Sequence, residues 1–340
     1  MRPNRLPQPY LLYLADVDDP RYAKTAQGLR DWVPEQCVGE WAMPGNELRL
    51  GLPFLDPAAA RSRGAQALVV GVAPVGGQIQ AAWIPGLVQA LEAGLDVISG
   101  MHSPLSGIPE LVAAAERCAR RLIDIRIPPA DLPVASGQRR SGRRLLTVGT
   151  DCALGKKYTA LSLTRAFRAR GIPVDFRASG QTGILIAGSG IPVDAVKADF
   201  LAGAAELLSP AAAPEHWDII EGQGALVHPG YAAVSLGLLQ GSQPDVLVLC
   251  HAADRTHVSG YGPEFPLPPV AEVIELNLAH ARLRRPEVRM AGVSLNTQGL
   301  SPDQADRLMD DFERDLGLVC ADPLRGGERF ERLVSACLTD

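Results

Sequence analysis

The 340-residue sequence lacks the features of two large classes of protein. No continuous apolar run reaches the roughly 18–20 residues that a membrane-spanning helix needs, so no membrane association is expected. The sequence also lacks an excess of positive charge, because 33 Lys and Arg residues stand against 38 Asp and Glu residues. Non-specific binding to nucleic acid requires a basic face. The formal net charge of −5 therefore argues against a nucleic-acid partner.

Pairs of cysteines at metal-binding or redox spacing are also lacking. The six cysteines are scattered, without a CxxC pair, and five of them are in apolar or helical contexts. They are most simply buried small hydrophobes, so no metal site is predicted. The apolar run near the N-terminus ends at Asp16, Asp18 and Asp19 without a small-residue cleavage site. This pattern favours a first strand over a signal peptide, and a reduced, cytoplasmic protein is expected.

Strand-like and helix-like segments alternate along the chain, which predicts the α/β class with parallel sheets and crossover helices. In the first part, "ALVVGVAPVGG" is typical of a strand and "IPELVAAAERCARRL" of a helix. Between Pro128 and Arg144 the sequence "PPADLPVASGQRRSGRR" has no apolar periodicity, which indicates a linker. We predict a Rossmann-like domain over residues 1–138. A P-loop-containing, doubly wound domain is predicted over residues 139–340.

The segment "LLTVGTDCALGKKYTALSL", residues 145–163, predicts a strand, a glycine-bounded loop and a helix that opens at Lys156. Backbone N–H groups at such a junction form an anion site, and a lysine adds positive charge for phosphate oxygens. A tight turn with no ligand is the simpler alternative. The residue after Lys156 is Lys157, where a nucleotide-hydrolysing loop has a Ser or Thr that binds magnesium. A polyphosphate held without metal-assisted cleavage, such as that of coenzyme A, fits this sequence.

Polar residues follow four further predicted strands, in "RASGQTG", "EGQG", "CHAADRTH" and "NTQG". The carboxyl ends of parallel strands meet at one edge of a sheet, where ligands bind. Glu221 ends the apolar strand "WDII", a position from which a carboxylate can point into a cleft. A solvated surface glutamate is the alternative.

Seven motifs in order resemble the D-glutamate N-acetyltransferase family, once a domain family of unknown function. They are "VGTDCALGKKYTAL", "DFRASGQTGILIAG", "VKADFLAGAAE", "HWDIIEGQGAL", "SLGLL", "CHAADRTH" and "GVSLNT". The order of elements is also similar to the dethiobiotin synthetase-like group of phosphate-loop proteins. The family resemblance implies acetyl transfer from acetyl-CoA to the amine of D-glutamate or a related D-amino acid. It also implies a homodimer or a higher homo-oligomer.

The candidate site residues follow from these motifs. The residues expected to hold the cofactor are Gly149, Thr150, Asp151, Cys152, Ala153, Leu154, Gly155, Lys156, Lys157, Tyr158 and Asn296. The amine must lose a proton before it attacks a thioester, and the candidate general bases are Glu221, His228 and His251. The candidates for binding a dicarboxylic substrate are Arg177, Ser179, Gln181, Thr182, Gln223 and Arg255.

Each of these candidates has a structural alternative. His228 could simply hydrogen-bond backbone, and each arginine could pair with a local acid such as Asp175 or Asp254. Asn296 could merely end a strand. N–H groups of "SGQTG" or "GQG" could stabilise the thioester oxyanion or belong to plain turns. The alternative function is an ATP-dependent ligase or kinase that uses magnesium, which Lys157 disfavours.

Overall fold

The computed structural model describes residues 6–74 and 76–339 of the chain. These residues form two compact units. The first unit comprises the chain up to Pro128 together with Gln181–Ala195, and the second comprises Pro129–Gly180 together with the chain from Val196. Among the residues described, no helix combines the length and the apolar character that crossing a bilayer requires.

The first unit is built on a five-stranded sheet in which all strand pairs are parallel. Its strands are β1 (Tyr10–Tyr13), β2 (Cys37–Trp41), β3 (Ala67–Val70), β4 (Asp96–Ser99) and β5 (Leu122–Asp124). They lie in the order β2-β1-β3-β4-β5. The helices of this part of the chain are α1 (Lys24–Trp32), α2 (Pro57–Ser62), α3 (Ile84–Glu92) and α4 (Pro109–Cys118).

The second unit contains a six-stranded sheet, also with parallel pairs only. Its strands are β6 (Arg143–Gly149), β7 (Val174–Arg177), β8 (Trp217–Ile220), β9 (Val246–Ala252), β10 (Arg289–Asn296) and β11 (Val319–Ala321). The helices that follow along the chain are α5 (Lys156–Ala169), α6 (Gln181–Ala187), α7 (Ala198–Leu208), α8 (Ala232–Ser242), α9 (Val270–Arg282), α10 (Pro302–Leu316) and α11 (Gly327–Leu338). The predicted α/β class with two parallel sheets is confirmed.

Helix α6 belongs to the first unit, although in the sequence it comes between β7 and β8 of the second sheet. It packs against α1. The hydroxyl of Tyr10 donates to the carbonyl oxygen of Leu185 at 3.2 Å. The domain boundary near residue 138 stays a prediction. The chain passes from the first unit to the second after Pro128, returns to the first unit at Gln181 and leaves it again after Ala195.

The order of the second sheet determines where its polar strand ends meet. The strands lie in the order β11-β10-β9-β6-β8-β7, so β6 is flanked by β8 on one side and β9 on the other. From β6 the chain first goes to β7 and β8, and then crosses to β9 on the other side. A reversal of this kind opens a crevice at the carboxyl ends of the strands, where ligands bind in open α/β sheets. The crevice lies beyond the ends of β6 and β9.

The core of the second unit explains why its strands are nearly continuous apolar runs. Every residue of β9 is buried, as expected for a central strand that is covered by helices on both faces. Phe167 of α5 meets Trp217 of β8 edge to face, with ring centroids 5.4 Å apart. All six cysteines are free thiols, and four of the five expected to be buried are buried, whereas Cys118 is partly exposed.

Two glycines on one face of α8 allow it to approach α7 closely. A Cβ atom at Gly237 would lie 2.0 Å from a side-chain carbon of Leu201. At Gly241 a Cβ atom would lie 2.1 Å from the backbone oxygen of Ala202. Residues four apart share one helix face, so the pair forms a continuous groove for α7.

We expect the substitution Gly241→Ala to destabilise the protein. Alanine gains about 1 kcal/mol of helix propensity over glycine, but the clash with a backbone oxygen costs more, because the two helices must move apart. The expected net loss in the free energy of unfolding is about 1–2 kcal/mol, measured by urea denaturation. Gly107→Ala is the matched control, since its Cβ would come no closer than 3.5 Å to a neighbour. Equal stability of the two variants would contradict the close packing of α7 and α8.

Candidate functional site

The loop between β6 and α5 has the backbone of a phosphate cradle. β6 ends at Gly149, and α5 begins at Lys156 directly after Gly155. Gly155 has a φ of 108° and Ala153 a φ of 55°, so the loop turns sharply before the helix starts. The loop therefore directs the first N–H groups of α5 toward the crevice, which is the geometry of an anion site.

Lys156 is buried under this loop. Its side chain is only 6% exposed, and its Nζ donates to the backbone oxygen of Asp151 at 2.7 Å. Burial lowers the pKa of the Lys156 ammonium below its ordinary value. The described residues include no carboxylate in an ion pair with it. A buried ammonium of this kind destabilises the folded protein, and an anionic ligand would relieve that cost.

Asp151 connects the phosphate loop to the loop after β9. Its carboxylate is fully buried and accepts three hydrogen bonds. The donors are the guanidinium of Arg255 at 2.6 Å, the N–H of Ser259 at 2.8 Å and the N–H of Cys152 at 2.6 Å. The sequence offered Asp254 as a local partner for Arg255, but the partner is Asp151. Within the described residues the side chain of Arg255 hydrogen-bonds only to Asp151, so part of its guanidinium remains available to a ligand carboxylate.

His251 lies at the same crevice, near the carboxyl end of β9. Its Nδ1 lies 2.8 Å from the hydroxyl oxygen of Thr150, next to the phosphate loop. Burial, and to a lesser extent the charge of Arg255, lowers the pKa of this imidazole. The neutral form is therefore favoured at neutral pH. A neutral imidazole has a nitrogen that can accept a proton.

His228 is fixed by backbone groups. Its Nδ1 accepts from the N–H of Gly230 at 3.1 Å, and its Nε2 lies 3.2 Å from the carbonyl oxygen of Ser259. The accepting Nδ1 requires the proton on Nε2, which then donates to Ser259. Both ring nitrogens are thus engaged. His228 therefore hydrogen-bonds backbone groups, which was the structural alternative to a catalytic role. Its role as a base stays a prediction, and it would require these hydrogen bonds to break.

Glu221 lies beside the phosphate cradle at the end of β8. Its Oε2 accepts from the N–H groups of Ser179 and Gly180, both at 3.0 Å. The side-chain amide of Gln223 donates to the Ser179 hydroxyl at 3.2 Å. A Cβ atom at Gly222 would lie 3.2 Å from Cδ of Lys156, so the two motifs adjoin.

These bonds bear on the predicted oxyanion donors. The N–H groups of Ser179 and Gly180 already serve the carboxylate of Glu221. The N–H of Gly222 donates to the hydroxyl of Thr147 at 3.0 Å. An oxyanion role for these three groups would require the existing bonds to break.

Arg177 forms ion pairs with two carboxylates, which was the structural alternative to a role in substrate binding. Its Nε lies 2.6 Å from Asp218 and its Nη2 lies 3.1 Å from Asp175. Arg177 is in register with Ile220, whereas Asp218 lies two residues earlier on β8. The guanidinium therefore points back along the sheet, away from the carboxyl ends of the strands. A role in substrate binding would require it to leave both carboxylates.

The remaining candidates are dispersed. Gln181 and Thr182 open α6 and belong to the first unit, where the Thr182 hydroxyl lies 3.3 Å from that of Thr25. The side chain of Asn296 accepts from the N–H of Gln298 at 3.0 Å, the turn expected at a strand end. Lys157 places its ammonium 5.2 Å from the ring centre of Tyr158.

Sequence reasoning missed a group of aromatic rings around His228. The ring of Tyr231 lies 4.6 Å from that of His228, and the ring of Tyr261 lies 5.7 Å away on another side. Phe265 lies 5.0 Å from Tyr261. These three aromatic side chains are 37–55% exposed. Their positions in glycine-rich loops carry no periodic signal, and only the fold brings them together.

Two groups of side chains in the described residues have atoms close enough to share a cation. They are Asp151, Cys152 and His228, and Asp175, His216 and Asp218. In each group an arginine already meets a carboxylate, Arg255 in the first and Arg177 in the second. Both groups are accounted for as ion-pair networks.

Comparisons with known proteins identify the family. Residues 35–128 match the DUF1611_N Rossmann-like domain, and residues 133–334 match the DUF1611_C P-loop domain, each described as a domain of unknown function. The chain belongs to the DUF1611 family. A crystal structure of a DUF1611 family protein from Anabaena variabilis is 35% identical in sequence, with a TM-score of 0.85. The similarity covers 97% of this chain and 99% of that one.

Two curated relatives of this DUF1611 protein carry a functional name. A protein from Pseudoalteromonas sp. named D-glutamate N-acetyltransferase is 47% identical over 319 residues, 94% of this chain and 96% of the relative. A protein of the same name from Tritonibacter scottomollicae is 46% identical over 328 residues, 96% of this chain and 98% of the relative. The family resemblance and the prediction of an acyl-transferring enzyme are confirmed.

The buried lysine of the DUF1611 phosphate loop generates a prediction about stability. We expect Lys156→Met to raise the free energy of unfolding by on the order of 1 kcal/mol, because an ammonium without an ion-pair partner is replaced by an apolar side chain of similar length. Chemical denaturation without ligand measures the change. Lys157→Met is the control, because Lys157 is only partly buried and its replacement should give no gain. A loss of stability in Lys156→Met would show that the ammonium stabilises the empty loop.

The lowered pKa of His251 predicts a pH dependence of stability. Above the unfolded value of 6.5 both states are neutral and the contribution of the histidine is complete. Below it the unfolded state takes up the proton first, so stability falls as the pH drops through the lowered folded pKa. In His251→Gln the decrease in melting temperature between pH 7.5 and pH 5.5 should be smaller than in the wild type. An equal decrease in both proteins would contradict the assignment.

Proposed function

We propose that this protein transfers the acetyl group of acetyl-CoA to the amine of D-glutamate. The observation that carries the proposal is the near-complete similarity to two relatives named D-glutamate N-acetyltransferase. The chemistry of the second unit supports it in three respects: the phosphate cradle, the arginine at the crevice and the carboxylate beside the cradle.

The cradle suits a phosphate ligand that is anchored and not cleaved. Lys157 occupies the position after Lys156 where a magnesium-binding loop has a hydroxyl. The next Ser or Thr of α5 is Thr159, whose hydroxyl is buried and lies 2.7 Å from the hydroxyl of Ser294. It also accepts a hydrogen bond from the thiol of Cys250. Coenzyme A carries a pyrophosphate and a ribose phosphate, which two lysines and the loop N–H groups would hold by charge.

The exposed rings around His228 suit the base of that cofactor. His228 Nε2 lies 3.9 Å from the carboxylate of Asp151, so the aromatic group adjoins the phosphate loop. Flat aromatic side chains stack on a nucleobase whatever its hydrogen-bonding edge. Tyr231 and Tyr261 therefore extend the proposed cofactor site from the phosphates toward the adenine.

Arg255 is the side chain we assign to a substrate carboxylate. Its bond to the buried Asp151 fixes the guanidinium in one orientation at the crevice. A guanidinium with its remaining N–H groups free binds a carboxylate through two parallel hydrogen bonds. The buried carboxylate partner thus prepares the arginine for a dicarboxylic substrate.

Glu221 is the residue we assign to proton transfer. Acetyl-CoA would supply the acyl thioester, and the ammonium of the amino acid must lose a proton before it can react. The N–H groups of Ser179 and Gly180 hold the carboxylate beside the cradle. His251, with its favoured neutral form, is the second candidate base.

The alternative of an ATP-dependent ligase or kinase has less support. It would need a magnesium ligand at the start of α5, where Lys157 places a positive charge. The homodimer or higher oligomer that the family resemblance implies also remains a prediction, and light scattering coupled to gel filtration measures it.

The proposal predicts a specific pattern of activity. Incubation with acetyl-CoA should release thiol with D-glutamate and much less with L-glutamate. Glu221→Gln should reduce kcat about 100-fold or more with little change in the KM for acetyl-CoA, because it removes the base and leaves the cradle intact. Lys156→Ala should instead raise the KM for acetyl-CoA. Glu215→Gln, at an exposed glutamate, is the control and should behave as the wild type.

Two results would contradict this assignment. One is the absence of thiol release with D-glutamate and every related D-amino acid. The other is magnesium-dependent turnover of ATP by the purified protein, which would favour the ligase or kinase.

A further inference from the structure

A second polar cleft lies at the opposite end of the second sheet, where its strands begin. The cleft has a volume of about 460 Å³. It is lined by Arg143, Trp217, Val246 and Arg289, the first residues of β6, β8, β9 and β10. The phosphate cradle follows the last residue of β6, so the full length of this strand separates the two sites.

The lining of this cleft, which we call the arginine cleft, is strongly positive. It contains seven arginines but only two carboxylates, Asp245 and Glu287. The protein as a whole has a formal net charge of −5, so the charge of the cleft does not reflect general basicity. A concave surface of one charge concentrates its field and attracts ligands of opposite charge.

Two arginines at the base of the cleft are held mainly by neutral groups, although the carboxylate of Glu206 lies 3.7 Å from Nη1 of Arg140. The side chain of Arg144 is buried and donates to backbone oxygens, among them those of Ser209 at 3.3 Å and Pro210 at 3.0 Å. Arg140 donates to the backbone oxygens of Ser209 and Gly241, both at 2.9 Å. Carbonyl groups satisfy the hydrogen bonds of a guanidinium but do not neutralise its charge. Burial is the largest cause of the lowered pKa of both guanidinium groups.

Anchoring of the linker explains these two arginines without any ligand. It does not explain the arginines at the rim. Arg139 is exposed, and Arg284 donates to the side-chain oxygen of Gln240 at 3.1 Å. Neither forms an ion pair with a carboxylate of the described residues. By contrast Arg285 lies 2.5 Å from Asp245 and 3.5 Å from Glu287, so both acids of the cleft already have a partner.

We propose that the arginine cleft binds a small polyanion that carries phosphate groups or several carboxylates. Guanidinium groups bind both kinds of anion through paired hydrogen bonds, and several converging arginines favour a ligand of multiple charge. The volume is that of a small-molecule pocket and not of a groove for a polymer. The site is separate from the phosphate cradle, so the proposed acetyl transfer and this binding can be tested independently.

Binding of tripolyphosphate and of citrate to the full-length protein, measured by titration calorimetry, tests the proposal. The two probes distinguish a phosphate ligand from a carboxylate ligand. Because the proposed phosphate cradle can also bind tripolyphosphate, the titrations are carried out in Lys156→Ala, in which that cradle is weakened, and we expect at least one probe to bind. The double variant Arg139→Gln/Arg284→Gln, made in this background, should bind at least tenfold more weakly. Both residues are at the rim, and thermal unfolding verifies that the variant is folded.

Arg282→Gln is the matched control, because Arg282 lies two residues from Arg284 on the same segment but outside the cleft. Made in the same background, it should leave binding unchanged. The proposal is overturned if neither probe binds to Lys156→Ala, or if the double variant and the control bind equally well. Binding of heparin without binding of either small probe would also overturn it, in favour of a polymeric partner.

Discussion

The organisation of the crevice depends on one buried carboxylate, that of Asp151. Two of its three hydrogen bonds, from Arg255 and Ser259, join the start of the phosphate loop to the loop after β9, and the third comes from the N–H of Cys152. Its backbone oxygen also receives the ammonium of Lys156. One residue thus orients both Lys156, which we propose binds the phosphates, and Arg255, which we propose binds the substrate. A carboxylate without this set of donors would be costly to bury, so the two loops and the acid stabilise one another.

Under the proposed function, a phosphate loop serves acyl transfer and not nucleotide hydrolysis. A loop that hydrolyses nucleotides must hold a metal at the bond that breaks, and so needs a hydroxyl beside its lysine. In acyl transfer from coenzyme A the phosphates lie far from the reacting thioester. Charge and backbone N–H groups are then sufficient for binding, and a second lysine at the position of the hydroxyl is compatible with that task.

The sequence predicts the local features of the site well and the long-range ones poorly. The strand, loop and helix around Lys156 follow from apolar runs and glycines that are close together in the chain. The bond between Asp151 and Arg255 joins residues 104 positions apart, which no local pattern encodes. His228 and Arg177 have residue types suited to chemistry, but neighbours supplied by the fold engage their polar atoms. The exposed aromatic rings were missed for the same reason.

The membership of Gln181–Ala195 in the first unit has a consequence for biosynthesis. A ribosome releases the five strands of the first sheet before it has made this segment. Helix α6, which supplies the partner of Tyr10, emerges only after β6, α5 and β7 of the other sheet. The first unit therefore cannot reach its final packing until the first two strands of the second sheet have been synthesised, unlike an independent domain that is complete before the next one begins. The nascent chain must keep the α6 side of α1 uncovered until the middle of the protein has been synthesised.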